Sequence, residues 1–245
     1  MDEGLEITGR AEASHFWFHG FRAFVTPALR DVAAGRRNLQ LVDCGCGTGY
    51  NLALLEPYGR PFGFDLTGGG TASARRTGHA VARADITRIP FASARFDVAT
   101  SFDVLQCVPD DVGAVREMAR IVRRDGIVVL TLAAFDALRG DHAIYWNEVR
   151  RYTPARARAL VEAAGLRPER ISFMFASIFP MFAAARLYQR LTRPLRGAVR
   201  GDIDMRVPAA PLNRLLTHLV QAEAQLAMTI PMPIGSSLLV VARKP

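Results

Sequence analysis

Short apolar runs alternate along the chain with longer segments whose apolar residues recur every three or four positions. The runs are Leu39–Val42, Phe62–Leu66, a short stretch before Ala84, Phe96–Ser101, Ile127–Leu132, Ile171–Phe175 and Ser236–Ala242. Their length and their Val, Ile and Phe content predict strands, and the unbroken β-branched run Ile127–Leu132 predicts one buried on both faces. The periodic segments predict helices: Pro27–Gly35 with Leu29 and Val32 inward, a helix starting at Asn51–Leu55, Val112–Val122 with a stripe of Val112, Val115, Ala119 and Val122, and Pro154–Ala164 stopped by Gly165. Leu212–Met228 predicts a further helix with Leu215, Leu216, Leu219, Ala222 and Leu226 on one side. Strands separated by helices predict an α/β fold with a doubly wound sheet.

Between the first strand and its helix lies Asp43-Cys44-Gly45-Cys46-Gly47-Thr48-Gly49-Tyr50. A glycine-rich turn here lets a ligand approach the backbone, with the N–H groups of a helix start behind it. A dinucleotide turn reads G-x-G-x-x-G. Gly45 and Gly47 fit its first two glycines, but Tyr50 stands where the third belongs. Asp65 ends the second strand about 20 residues further on, where an acid accepts hydrogen bonds from ribose hydroxyls. A helix N-cap is the competing role for it. Gly68-Gly69-Gly70 cost about 1 kcal/mol each against alanine in a helix, which predicts a short or frayed one. Asp85 stands after the third strand, where a turn cap competes with ligand contact.

The pattern Asp-x-Gly-x-Gly-x-Gly resembles the first motif of the class I S-adenosylmethionine (SAM) dependent methyltransferases. The resemblance covers most of the chain and is most specific from Asp43 to Leu132. It implies a Rossmann-like seven-stranded sheet whose last strand is antiparallel, slipped between strands five and six. It implies SAM as cofactor, with Gly45, Cys46, Gly47 and Gly49 at the methionyl end and Asp43 holding the turn or meeting the amino group. Asp65 and Leu66 would then serve the ribose, Asp85 and Ile86 the adenine, and Ser101 and Phe102 would offer backbone groups near the sulfonium. The stretch Phe102–Asp111 resembles the family's Asp-Val-Leu-Glu-His-Val-Pro-Asp-Asp, with Gln106 and Cys107 in place of Glu and His.

Two further segments resemble a bacterial subgroup. His15-Phe16-Trp17-Phe18-His19-Gly20-Phe21-Arg22 is similar to a His-Trp-Trp-Phe-Arg-Gly-Arg-Arg signature, matched at His15, Trp17, Phe18, Gly20 and Arg22. As a lid it would bring Trp17 and Arg22 to the cofactor, since aromatic faces attract a sulfonium; a helix capping the core is the plainer role. The segment after strand five, Ala133–Thr153, keeps His142 but has Ala143 and Glu148 where a relative carries Asp and His. His15, His142 and Tyr152 are the candidate catalytic groups, none of them compelling. The expected organisation is a helical N-terminal cap (1–36), a cofactor-binding domain (37–177 and 235–245) and a helical insertion (178–234).

Composition adds three limits. A length of 245 residues with 50% hydrophobic content supports a sizeable core, and no apolar run is long enough to span a bilayer. The polar start and three cysteines predict a reduced, cytoplasmic protein with no disulfide framework and no metal, Cys44 and Cys46 lacking partners at ligand spacing. The net charge of +8 is almost wholly arginine. No nucleic-acid motif accompanies it. Arg186, Arg190, Arg193, Arg196 and Arg200 recur along an apolar segment, so peripheral contact of 178–200 with an anionic membrane stands beside a solvated insertion. The expected function is methyl transfer to a small-molecule, glycan or lipid-linked acceptor. A SAM-binding protein without transferase activity is the alternative, and an NAD-dependent oxidoreductase the third reading.

Overall fold

The computed structural model describes residues 2–196 and 205–245. Seven strands form one sheet: β1 (Leu39–Cys44), β2 (Gly59–Asp65), β3 (Ala80–Arg83), β4 (Phe96–Phe102), β5 (Val122–Ala133), β6 (Arg167–Met174) and β7 (Ser237–Arg243). Their order is β3-β2-β1-β4-β5-β7-β6. β7 runs antiparallel to both β5 and β6, and the other pairs are parallel. The sheet is therefore the Rossmann-like one expected, with the last strand inserted between the fifth and sixth. The helices are α1 (Asp2–Glu12), α2 (Phe16–Ala33), α3 (Leu52–Leu55), α4 (Gly68–Arg75), α5 (Asp111–Ile121), α6 (Asp141–Tyr145), α7 (Pro154–Ala163), α8 (Phe179–Arg196) and α9 (Ala210–Leu226).

Side chains alternate across a strand, and the two cores follow that alternation. On one face α5 and α7 bring Val115, Met118, Leu160 and Val161 onto Val128, Leu130 and Val240. On the other, α2 and α9 bring Val25, Leu29, Leu216 and Val220 onto Leu41, Val98, Val129 and Leu239. The segments before β1 and between β6 and β7 thus share one face of the sheet. Their contact is close: a Cβ on Gly20 would stand 2.7 Å from Val220 Cγ2.

Two elements differ from the sequence pattern. α2 runs unbroken from Phe16, with Pro27 inside it. An interior proline costs about 3 kcal/mol. Phe16, Phe21, Phe24, Val25, Ala28 and Leu29 are all buried, and that packing outweighs the lost bond. The N-terminus of α2 is secured twice: His15 Nδ1 accepts from Trp17 N at 3.1 Å, and Asn213 Oδ1, from α9, accepts from Phe16 N at 2.9 Å.

α9 is rotated relative to the expected stripe. Leu216, Val220, Glu223 and Ala224 face inward, while Leu215, Leu219 and Leu226 are exposed. Both stripes have helical period, so periodicity could not choose between them. The smaller side chains permit the close approach to Gly20. Glu223 fixes the choice, accepting from Ala176 N at 2.7 Å and Ser177 N at 2.8 Å. The solvated-insertion reading of the arginine run also changes, since Arg186 is buried. The side chain of Arg196, and Arg200 altogether, lie outside the described residues.

Candidate functional site

The parallel strands deliver their loops to one edge of the sheet, where ligands bind in this topology. β1 enters the glycine turn there. Gly45, Gly47 and Gly49 have φ of +85°, +52° and +84°, a region that disfavours any Cβ. Space forbids one too: at Gly45 it would lie 2.5 Å from Val104 Cγ2, and at Gly49 2.7 Å from Ala74 Cα. Gly45 N and Cys46 N both donate to the Phe64 carbonyl, at 2.8 and 2.9 Å, which ties the turn to β2. Cys44 and Cys46 are free and buried, filling space beneath it.

Asp65 sits at the end of β2 beside this turn. Its Oδ2 accepts from Gly47 N at 2.9 Å, and its Oδ1 from Thr67 N at 2.8 Å and Thr67 Oγ1 at 2.7 Å. The N-cap of α4 is Thr67 rather than Asp65, with Thr67 Oγ1 accepting from Gly70 N at 3.1 Å. The glycine at 70 now has a reason: a Cβ would stand 2.6 Å from Thr67 Oγ1 and 3.1 Å from Asp65 Oδ1. A carboxylate offers about four lone-pair directions, so Asp65 retains accepting capacity toward the open edge. Leu66, next to it, is exposed.

Asp43 is buried beneath the turn and accepts from Thr100 Oγ1 at 2.7 Å. Burial pushes its carboxyl up to about 7; the Thr100 bond opposes this and the negative charge of Asp65 adds to it. Two carboxylates under one turn favour a cationic ligand above it. Ser101 Oγ donates to the Cys44 carbonyl at 2.8 Å, locking β4 to β1. Phe102 is buried against Phe21, ring centroids 5.2 Å apart. Asp85 is exposed and accepts from Thr87 N and Thr87 Oγ1, both at 2.8 Å, so the turn-cap role is real. Ile86 lies in the core with Ile89.

The N-terminal residues divide. Arg22 reaches the turn: its guanidinium lies 5.0 Å from the centroid of the Tyr50 ring and its Nη1 donates to the Glu12 carbonyl at 3.0 Å. Trp17 does not share that place. It stacks on Phe175 at 4.0 Å and on Phe182 at 5.7 Å, joining α2 to the end of β6 and to α8. His15 is an N-cap. The segment that covers the glycine turn is α1, the first part of the expected N-terminal cap, rather than the aromatic stretch expected as a lid. Thr48 Oγ1 donates to buried Glu12 Oε2 at 2.6 Å, and Leu5 lies 3.4 Å from where a Cβ of Gly47 would stand. A Cβ on Gly4 would come within 2.8 Å of the Trp146 ring, so α1 reaches from the glycine turn to the loop after β5.

That loop and the end of β4 enclose a second set of polar groups. Asp103 follows β4 with φ +55°. Its N–H donates to the Thr131 carbonyl and hydroxyl at 3.1 and 3.0 Å. The residue is exposed to solvent, with protein packed around part of its side chain. That enclosure pushes it up to about 6, with the Thr131 bond opposing, Glu148 raising it further and Arg151 lowering it. Glu148 and Arg151 form a buried, two-pronged ion pair at 2.8 and 3.2 Å. The Gln106 carbonyl accepts from Val149 N at 2.8 Å, and Glu148 N donates to the Ala143 carbonyl at 2.7 Å. Burial, then Glu148 and Asp103, push the Cys107 thiol up to about 12, so it is no nucleophile. Gln106, Cys107, Ala143 and Glu148, four of the departures from the relatives' pattern, therefore meet in one cluster.

Of the catalytic candidates, Tyr152 is removed from this role. It is buried, its hydroxyl donates to Asp111 Oδ2 at 2.9 Å, and burial together with Asp111 raises its pKa. His142 lies on α6, its ring 6.2 Å from that of Trp146. The group that sequence reasoning missed is Asp103. Its signal was available: an acid just past the buried strand Phe96–Phe102, at the ligand-binding edge.

The residues present fit a nucleoside ligand with a cationic chain. The glycine turn leaves its backbone open to a chain, Asp65 keeps accepting capacity toward the open edge, and Asp85 stands at the next strand end. The Methyltransferase domain family matches residues 42–130. A demethylmenaquinone methyltransferase from Roseiflexus sp. (strain RS-1) is 32% identical over 179 residues, covering 68% of this chain and 69% of that protein. A malonyl-[acyl-carrier protein] O-methyltransferase from Serratia marcescens is 32% identical over 145 residues, covering 57% of this chain. That match spans little more than half of the relative's length, 56%. Among solved structures, an S-adenosylmethionine dependent methyltransferase from Mesorhizobium loti superposes with a TM-score of 0.57 at 18% identity, over 89% of this chain and 96% of that one.

Proposed function

The chain belongs to the class I SAM-dependent methyltransferases, and on that premise we propose that it methylates a small-molecule acceptor held against Asp103. The nicotinamide reading falls with the family. The cofactor of the family is SAM, which supplies a methyl group already activated on a sulfonium for in-line displacement. The protein's task is to place donor and acceptor. Gly45, Gly47 and Gly49 would admit the methionyl chain to the backbone, with the Asp65 carboxylate beside it and Asp43, raised to about 7, beneath the turn. Asp65 accepts from the ribose hydroxyls. Asp85 accepts from the adenine amino group, and Ile86 backs that slot from the core. Leu66 offers an apolar surface beside it.

The single observation that carries the acceptor side is the setting of Asp103. Its carboxyl, held at about 6, suits acceptance of a proton near neutral pH. Such a base is useful only where the acceptor still carries its proton at attack, so the reading is of an acceptor that gives up a proton as it is methylated, at oxygen, nitrogen or carbon. The two relatives are named for different acceptors, so this choice rests on the chain's own residues. Glu148 and Arg151, one raising and one lowering Asp103, set its proton affinity rather than touching the methyl group.

The test is incubation with methyl-labelled SAM and an extract of the source cell, followed by product profiling. The reading expects a labelled small molecule, lost by at least tenfold in Asp103→Asn while SAM binding is retained. SAM binding with no labelled product under any condition would favour the non-catalytic alternative. Full activity in Asp103→Asn would remove the base.

A further inference from the structure

α8 is turned outside in. A helix packed on a globular domain buries its apolar side. Here the fully buried residues are Arg186 and Gln189, with Phe179 and Phe182 half-buried beside them. Arg186 Nη1 donates to Gln189 Oε1 at 2.8 Å, and its guanidinium lies 4.3 Å from the Phe182 ring centroid. Gln189 Oε1 also accepts from Asp141 N at 3.2 Å, and Arg190 donates to the Ala137 carbonyl at 3.1 Å. Polar contacts therefore fasten α8 to the segment after β5. The opposite side carries Leu187, Tyr188, Leu191 and Leu195, exposed by 57%, 64%, 70% and 87%. At 100° per residue these four span an arc of roughly 100°. α9 adds a second outward stripe of Leu212, Leu215, Leu219 and Leu226.

Charge selects the occupant. No acidic residue occurs between Phe179 and Arg196 or between Met205 and Ala222. Arg190, exposed although it also donates to the Ala137 carbonyl, flanks the leucine arc, and Arg214 is exposed on α9. A second copy would meet this face with the same sign, on a chain whose net charge is already +8. An anionic bilayer supplies both what the leucines need and what the arginines need. Arginine stems lie along apolar surface while the heads reach phosphate, and an exposed tyrosine sits well at the headgroup level. Among the described residues no helix is long and apolar enough to cross a membrane, so the geometry is one of lying on the surface.

We infer that the outer face of α8, with the exposed stripe of α9, docks the protein on an anionic lipid surface. This rests on the exposed surface and not on the reading of the methyl-transfer site. The test is flotation of the full chain with vesicles of phosphatidylcholine alone or mixed with phosphatidylglycerol, at low and high salt. The expected result is flotation with the mixed vesicles, weakened by salt. It should fall by about tenfold or more in the double variant Leu191→Gln with Leu195→Gln. Those side chains are exposed, so an unchanged melting temperature shows that the variant folds. Protein left unbound by mixed vesicles at low salt overturns the inference, as does flotation that the double variant leaves intact. A dimer in gel filtration that the variant splits, without flotation, assigns the face to a second copy instead.

Discussion

Replacing Asp65 separates the support of the glycine turn from the holding of a ligand. In the free protein its carboxylate accepts from Gly47 N, Thr67 N and Thr67 Oγ1 at 2.7–2.9 Å. Asp65→Ala removes both acceptor oxygens and so all three hydrogen bonds. A hydrogen bond to a charged group contributes about 1.5–3 kcal/mol, and the half-buried position lets water recover part of this. A net loss of about 2 kcal/mol lowers the melting temperature of a chain this long by roughly 4–8 °C. With SAM present, the two ribose hydroxyls also lose a charged acceptor. The expected weakening is about 1–3 kcal/mol, or roughly 5- to 150-fold in Kd. Thr67→Ala is the control. It removes the cap of α4, about 1 kcal/mol, and leaves the Asp65 carboxylate in place, so SAM affinity should stay within about threefold of the parent. Calorimetric titration of both variants, with thermal melts of each, reads the two effects apart. Parental SAM affinity in Asp65→Ala refutes the reasoning, and so does an equal loss in Thr67→Ala.

Three further predictions follow from the same geometry. Asp43 has a folded pKa of about 7 against 3.8 for the free side chain, so between those values the folded state holds a proton that the unfolded chain has released. Stability should therefore fall as pH rises from about 4 to about 7 and level off above, and urea unfolding of Asp43→Asn across that range should show a flatter profile. Gly49→Ala would press a Cβ to 2.7 Å from Ala74 Cα at a φ of +84°; a loss of several kcal/mol and of SAM binding is expected, read by melting and titration. Glu148 raises the Asp103 pKa and Arg151 lowers it, so Glu148→Gln should move the acidic limb of kcat/KM below about 6. Arg151→Gln should move it above and cost roughly 3–5 kcal/mol, because it leaves buried Glu148 without its partner.

The sheet was legible because its signals are local. A continuous β-branched run marks a buried strand, and a glycine turn followed by acids at successive strand ends marks a ligand edge. Asp65, Asp85 and the glycines stand at that edge without any knowledge of packing. The two rotated or inverted helices were not legible. In α9 one apolar stripe is as periodic as the other, and the choice came from Val220 against Gly20 and from Glu223 capping the backbone at 176–177. In α8 Arg186 occupies the inward side, because Gln189 receives it.

By itself the sequence determined the cofactor edge, which rests on spacing within about thirty residues, and through its resemblance to the family it implied the strand order. The tertiary structure decided what faces that edge. It brought Gln106, Cys107, Ala143 and Glu148 from two loops into one cluster around Asp103, and it laid α1 across the glycine turn through Glu12 and Thr48. Those contacts join residues tens of positions apart. Proton affinity arises from enclosure and neighbouring charge, and neither is written in the order of the chain.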